Sequence, residues 1–168
     1  MYRLICPRQA VGSLGDIRLD ELYSMGIRGL IFDLDNTIIP WGSTVLPSHI
    51  AEWLKGIINS GYKVCLVSNN RQDRVESVAQ ALNIPYVPRA YKPAKTGFRR
   101  AVGLMCLTPA EVAVIGDQLF TDVLGGNRMG LFTIWVSPLS SREFIGTKLS
   151  RQLEKLIIYI LKNKGLLK

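Results

Sequence analysis

The chain has 168 residues, 48% apolar and 20% charged, which suits one globular domain with a proper core and leaves too little for two. A formal charge of +8 favours an anionic partner: a phosphorylated ligand, an anionic lipid surface or nucleic acid. Three cysteines, Cys6, Cys65 and Cys106, are odd in number and fit no Cys-x-x-Cys metal or redox motif, so a reducing, cytoplasmic setting is expected.

The N-terminus carries Arg3 and Arg8 but no continuous apolar stretch of signal-peptide type. No segment approaches the roughly 20 apolar residues that cross a bilayer. Residues 1–27 are a turn-rich lead-in, with a short helix expected over Asp16 to Met25 and Gly26 just past its end. Leu30-Ile31-Phe32 then reads as a buried strand of a parallel sheet, giving way to Asp33-Leu34-Asp35-Asn36-Thr37. Asp33 and Asp35 share one face if the extended backbone persists that far. Two close carboxylates repel unless a proton or a hard cation such as Mg2+ intervenes; a solvated acidic loop would satisfy the same pattern.

Asn36 to Gly42 is a loop by its punctuation, and Trp41 within it serves either a substrate or the packing of the next helix. Pro47-Ser48 opens that helix, with Ile50, Trp53, Leu54, Ile57 and Ile58 on one stripe and Gly61 at its end. The only histidine, His49, reads as a surface or capping group. Lys63 to Ser68 is the second strand and ends on Ser68-Asn69-Asn70. Arg71 to Leu82 is a helix with Val75, Val78, Ala79 and Leu82 inward. Tyr86-Val87 is a short strand, Lys92-Pro93 an extended link, and Gly97–Leu104 a helix. Thr108-Pro109-Ala110-Glu111 forms a capping box or tight turn. Val112 to Gly116 is a strand ending on Asp117, and Asp122 opens a helical turn expected to end at Gly125-Gly126. Leu131 to Val136 is the last strand of five.

Strand and helix alternate, so the expected fold is α/β with a five-stranded parallel sheet covered on both faces. Right-handed crossovers gather the strand ends, and with them Asp33, Asp35, Ser68, Asp117 and Asp122, on one edge. Carboxylates, a hydroxyl, adjacent amides and a lysine are the requirements of phosphoryl transfer through an aspartyl phosphate.

Asp33-Leu-Asp-Asn-Thr37, Ser68, Lys92 and Gly116-Asp117…Asp122 resemble, in order and spacing, the four motifs of the haloacid dehalogenase (HAD) superfamily. The Asn69-Asn70 pair after Ser68, Lys92-Pro93, Gln118…Thr121 and the lead-in Gly26 to Leu30 are similar to subfamily IIIA, the YqeG-like phosphatases, themselves similar to mitochondrial-type phosphatidylglycerophosphate phosphatases. The resemblance implies a Rossmann-like three-layer core over residues 28–138. It implies Asp33 as nucleophile, Asp35 as general acid/base, and Ser68 and Lys92 on the transferring phosphoryl group, with Lys95 as the competing lysine. Mg2+ would be held by Asp33, the Asp35 carbonyl and Asp117, with Asp122 in support. Thr37 would brace the loop and, with Asn69 and Asn70, line the substrate side. The intervals from Asp33 to Ser68 and from Ser68 to Lys92 are too short for an inserted cap domain. Residues 141–168 are expected to hold a basic amphipathic helix, with Leu149, Leu153, Leu156, Ile157, Ile160 and Leu161 at helical spacing, that either closes the core or lies on an anionic membrane.

The implied activity is a Mg2+-dependent phosphomonoesterase acting on phosphatidylglycerophosphate, a soluble metabolite or a nucleotide. A receiver domain would place adjacent acids on the first strand and its phosphoacceptor on a later one, where Ser68 stands here. A binding protein without catalysis would not need every reactive residue present. No nucleic-acid module is recognisable.

Overall fold

In the computed structural model, which describes residues 4–140 and 148–165, the first long apolar run becomes the centre of the sheet. The elements are β1 (Gln9–Val11), a 3-10 turn (Leu14–Asp16), α1 (Leu19–Ser24), β2 (Gly29–Phe32), α2 (Ser48–Asn59), β3 (Lys63–Val67), α3 (Gln72–Leu82) and β4 (Tyr86–Val87). There follow α4 (Lys95–Leu104), a 3-10 turn (Pro109–Glu111), β5 (Val112–Gly116), a π-helical turn (Leu119–Val123), α5 (Leu124–Met129), β6 (Phe132–Val136) and α6 (Lys148–Asn163). All strand pairs are parallel, in the order β1-β6-β5-β2-β3-β4.

The sheet has six strands, not the five expected. The sixth is β1, inside the stretch read as a lead-in; Gln9, Ala10 and Val11 pair with Ile134, Trp135 and Val136. Three half-buried residues at an edge carry too little apolar periodicity to announce a strand. The helix expected over Asp16–Met25 is shorter, because the backbone first closes a 3-10 turn at Leu14–Asp16, capped by Asp16 on the Ser13 N–H and hydroxyl.

Side-chain alternation along the strands builds the two outer layers. Leu30, Phe32, Val64, Leu66 and Ile115 face Leu54 and Ile57 of α2 and Val75 and Val78 of α3. Ile31, Cys65, Val67 and Val114 face Phe98, Ala101 and Val102 of α4. All four residues of β2 are buried, as the middle of a doubly covered parallel sheet requires.

The glycines after Asp122 do not end a helix. Gly125 lies against the Phe98 ring and Gly126 against Val114 and Thr133, where an added Cβ would fall 2.4 Å from side-chain atoms in each case. They let α5 approach the sheet; Gly130, at φ +81°, ends it.

Helix α6 divides its apolar residues. Leu161 is buried and Ile157 and Ile160 are half-buried, whereas Leu153 and Leu156 are more than half exposed. Glu154 is buried and its Oε1 accepts the Phe120 N–H at 3.1 Å, tying α6 to the π-helical turn. Residues 141–147 and 166–168 of the expected tail, and 1–3 of the lead-in, lie outside the described residues, as do the side chains of Lys148 to Arg151. Among the described residues no helix is long and apolar enough to cross a membrane.

Candidate active site

The strand order reverses between β2 and β5: from β2 the chain runs outward through β3 and β4 on one side, then returns to β5 and runs outward to β6 on the other, where β1, the first strand of the chain, forms the edge. That switch point leaves a crevice at the carboxyl ends of the strands. Asp33 follows β2, and its N–H donates to the Ile115 carbonyl of β5 at 2.9 Å. Asp117 follows β5, and Ser68 follows β3.

Asp33, Asp117 and Asp122 are all buried, and each offers an oxygen within 4.8 Å of the others. Lys92 Nζ lies between two of them, donating to Asp33 Oδ1 at 2.5 Å and to Asp122 Oδ1 at 2.6 Å. Lys95, the alternative lysine, is exposed on the first turn of α4. The Thr37 hydroxyl faces Asp117 Oδ1 at 3.3 Å and Asp33 Oδ2 at 3.5 Å. Burial lifts the Asp33 carboxyl well above its ordinary range; Lys92 pulls it down, and Asp122 and Asp117 push it up again. Burial alone would lower the Lys92 ammonium, but Asp122 and Asp33 hold it above the usual lysine value.

Asp122 is held on both oxygens, since Oδ2 accepts the Gln118 N–H at 3.2 Å. This is possible because residue 116 is glycine: a Cβ there would sit 2.3 Å from Asp122 Cγ. The Asp117 carbonyl accepts the Trp135 indole N–H at 2.8 Å, which fixes the end of β5 against β6.

The Asp35 carboxylate lies outside the three-acid cluster. Oδ2 accepts from Asn70 Nδ2 at 2.9 Å, and Oδ1 is paired with Arg74 of α3 in a short contact. Ser68 is buried; its Oγ accepts the Asn70 N–H at 3.1 Å, which leaves its own proton for another acceptor. Asn69 is tied to the lysine loop. Its Oδ1 accepts the Lys92 N–H at 2.6 Å and its Nδ2 donates to the Lys92 carbonyl at 3.1 Å, so the residue after Ser68 holds the lysine loop in place.

Two contributors were not legible in the sequence. Asn36 is buried at φ +59°, a conformation that asparagine tolerates better than most residues. Its Oδ1 accepts from the Trp41 N–H at 3.0 Å and from Ser140 Oγ at 2.9 Å, and its carbonyl accepts the Leu139 N–H, binding the loop after β2 to the chain beyond β6. Trp41 itself is 39% exposed at the rim. Arg74 is the other; only the i, i+4 step from Asn70 could have suggested that both reach the same carboxylate.

Three carboxylates against one ammonium leave a buried excess of negative charge. An all-oxygen donor set with that excess fits a hard divalent cation of the Mg2+ type.

The sequence model of the family described as "Mitochondrial PGP phosphatase" matches residues 1–139. The chain is 39% identical over 165 residues to "Probable phosphatase YqeG" of Bacillus subtilis, covering 98% of this chain and 96% of that protein. It is 31% identical over 181 residues to "Phosphatidylglycerophosphate phosphatase 1, chloroplastic/mitochondrial" of Arabidopsis thaliana, covering 98% of this chain but only half of that protein's length. The fold is similar to that of NagD from E. coli K-12, with a TM-score of 0.56 at 17% identity over 70% of this chain and 90% of that one. The chain belongs to the mitochondrial PGP phosphatase family and, with it, to the YqeG-like phosphatases of the HAD superfamily, which are phosphoric monoester hydrolases.

Proposed function

We propose that the protein hydrolyses phosphatidylglycerophosphate through a phosphoenzyme on Asp33, with Mg2+ as cofactor. The observation that carries the chemistry is the buried Asp33–Lys92–Asp122 bridge beside Asp117. Asp33, Asp117 and Asp122, with the Asp35 carbonyl, are the residues that would hold Mg2+. Bound there, it supplies Lewis-acid polarisation of the phosphoryl group and shields one anion from another.

An Asp33 carboxylate oxygen attacks phosphorus as the bond to the leaving alcohol breaks. The Lys92 ammonium and the Ser68 hydroxyl donate to the phosphoryl oxygens. Asp35 gives a proton to the departing alcohol, then takes one from the water that hydrolyses the acyl phosphate, restoring Asp33 and releasing phosphate. Thr37, Asn69 and Asn70 position these groups.

The wider reading is a one-domain enzyme without a cap, acting on the cytoplasmic side and peripherally at an anionic membrane. The interval between Asp33 and Ser68 holds one loop, α2 and β3, and that between Ser68 and Lys92 holds α3 and β4, which supports an open site. Leu153, Leu156 and Tyr159 are exposed on α6 beside exposed Lys155 and Lys162, and this pairing of apolar and cationic groups supports lipid contact.

Asp33→Asn should abolish Mg2+-dependent hydrolysis of an aryl phosphate with the fold intact; full activity would reject the phosphoenzyme. Turnover of soluble phosphates with none of phosphatidylglycerophosphate in mixed micelles would replace the lipid with a soluble substrate.

A further inference from the structure

Arg74 enters none of the steps above, yet it is placed to meet a substrate. Its side chain is 17% exposed. Nη2 donates to Asp35 Oδ1 and to the Ser43 carbonyl, the latter at 2.9 Å. Nε is buried and has no hydrogen-bond partner among the described residues. A guanidinium used only to brace Asp35 and the Ser43 loop has no need of an arginine's remaining donors, and a buried N–H without a partner is costly.

Charge around the crevice is divided. Asp33, Asp117 and Asp122 lie on the side where the phosphoryl group would be transferred. On the Asp35 side stand Arg74, exposed Arg71 at the start of α3, and exposed Arg89, whose N–H donates to the Asn70 carbonyl at 3.0 Å. With Asp35 as the leaving-group acid, this cationic side would face the leaving alcohol.

We propose that Arg74 is a specificity residue that binds a second anionic group, a phosphodiester, carried by the leaving alcohol. The planar guanidinium fork matches phosphate oxygens, and a lysine at the same place would not. The proposal rests on Asp35 as the leaving-group acid, and it selects phosphomonoesters of anionic alcohols over those of neutral ones.

The test uses the full chain with Mg2+ and two soluble substrates that share one leaving hydroxyl. One is glycerol 1-phosphate; the other carries a glycerol phosphodiester at the far end of the same glycerol. Wild type should prefer the second in kcat/KM, and Arg74→Gln should cut that preference by about 10–100-fold, as expected for a lost charge-assisted contact. Arg74→Lys should restore only part of it. If Arg74→Gln lowers both substrates by the same factor, Arg74 is a brace and the proposal is overturned. A second measurement needs no variant: in wild type, the diglycerol phosphodiester should compete with an aryl phosphate far better than glycerol does. Equal inhibition overturns the proposal. A wild type that hydrolyses neither substrate nor the aryl phosphate overturns the phosphatase reading itself, and the proposal with it.

Discussion

Replacing Lys92 by methionine tests the electrostatics of the site apart from its chemistry. The Lys92 side chain is 3% exposed, and its ammonium contacts carboxylates that are 6% and 1% exposed. Removing it leaves Asp33, Asp117 and Asp122 buried and facing one another. Breaking a buried pair by deleting one partner costs about 3–5 kcal/mol, which for a chain of this size lowers Tm by about 6–20 °C. Protonation limits the loss, because the Asp33 carboxyl is already held above its usual range by burial. The sign of the pH dependence follows. In the variant the folded carboxyl of Asp33 holds its proton more tightly than the unfolded one, so folded stability falls, and the gap to wild type widens, as pH rises above the ordinary carboxylate range. Lys95→Met, at an exposed position three residues on, should change stability by less than about 0.5 kcal/mol. Urea titrations in chelator at three pH values make the comparison. Equal midpoints for the two variants, or a gap that narrows with rising pH, would refute the account of Lys92 as the charge that holds the crevice together.

Gly116→Ala should destabilise by about 1–3 kcal/mol and lower phosphatase turnover, because the new Cβ meets Asp122 Cγ at 2.3 Å and pushes it off Lys92; wild-type activity would contradict this. Mg2+ at 100 times its Kd should raise stability by about 2.7 kcal/mol in a thermal scan, and Asp117→Asn should reduce the increment. Burial pushes the Cys65 thiol up from 9.0 to about 12, so the folded chain keeps a proton that the unfolded chain releases. Stability should therefore fall by about 2 kcal/mol between pH 9 and 10.5 on this account, and denaturation curves of Cys65→Ala should show a flatter alkaline limb.

The long strands were legible because each is a short apolar run stopped by polar residues, and β2, β3 and β5 needed no other signal. The acidic cluster was legible for a related reason: a parallel sheet brings strand ends together, so Asp33 and Asp117 had to share an edge once their strands were found. Lys92 over Lys95 was a choice about which side chain turns inward, and no periodicity decides that in a loop. Asn69 beside Asn70 reads as a polar pair; the sequence cannot say that one amide serves the Lys92 backbone and the other Asp35. Arg74 looks like any arginine on a helix, and its contact with Asp35 exists only once α3 packs beside the loop after β2. The expected end of α5 at Gly125-Gly126 failed because glycine serves close approach as well as termination.

The first strand changes how the chain can be shortened. Trimming to the first recognisable motif, at residue 28, would strip the outermost ribbon and bare the hydrogen-bonding groups of Ile134, Trp135 and Val136. An open rim of that kind invites another chain to dock there. It would also free the very ribbon whose indole steadies Asp117. A truncated protein would thus risk both clumping and a slackened acid, and the first dozen residues belong in any minimal catalytic fragment.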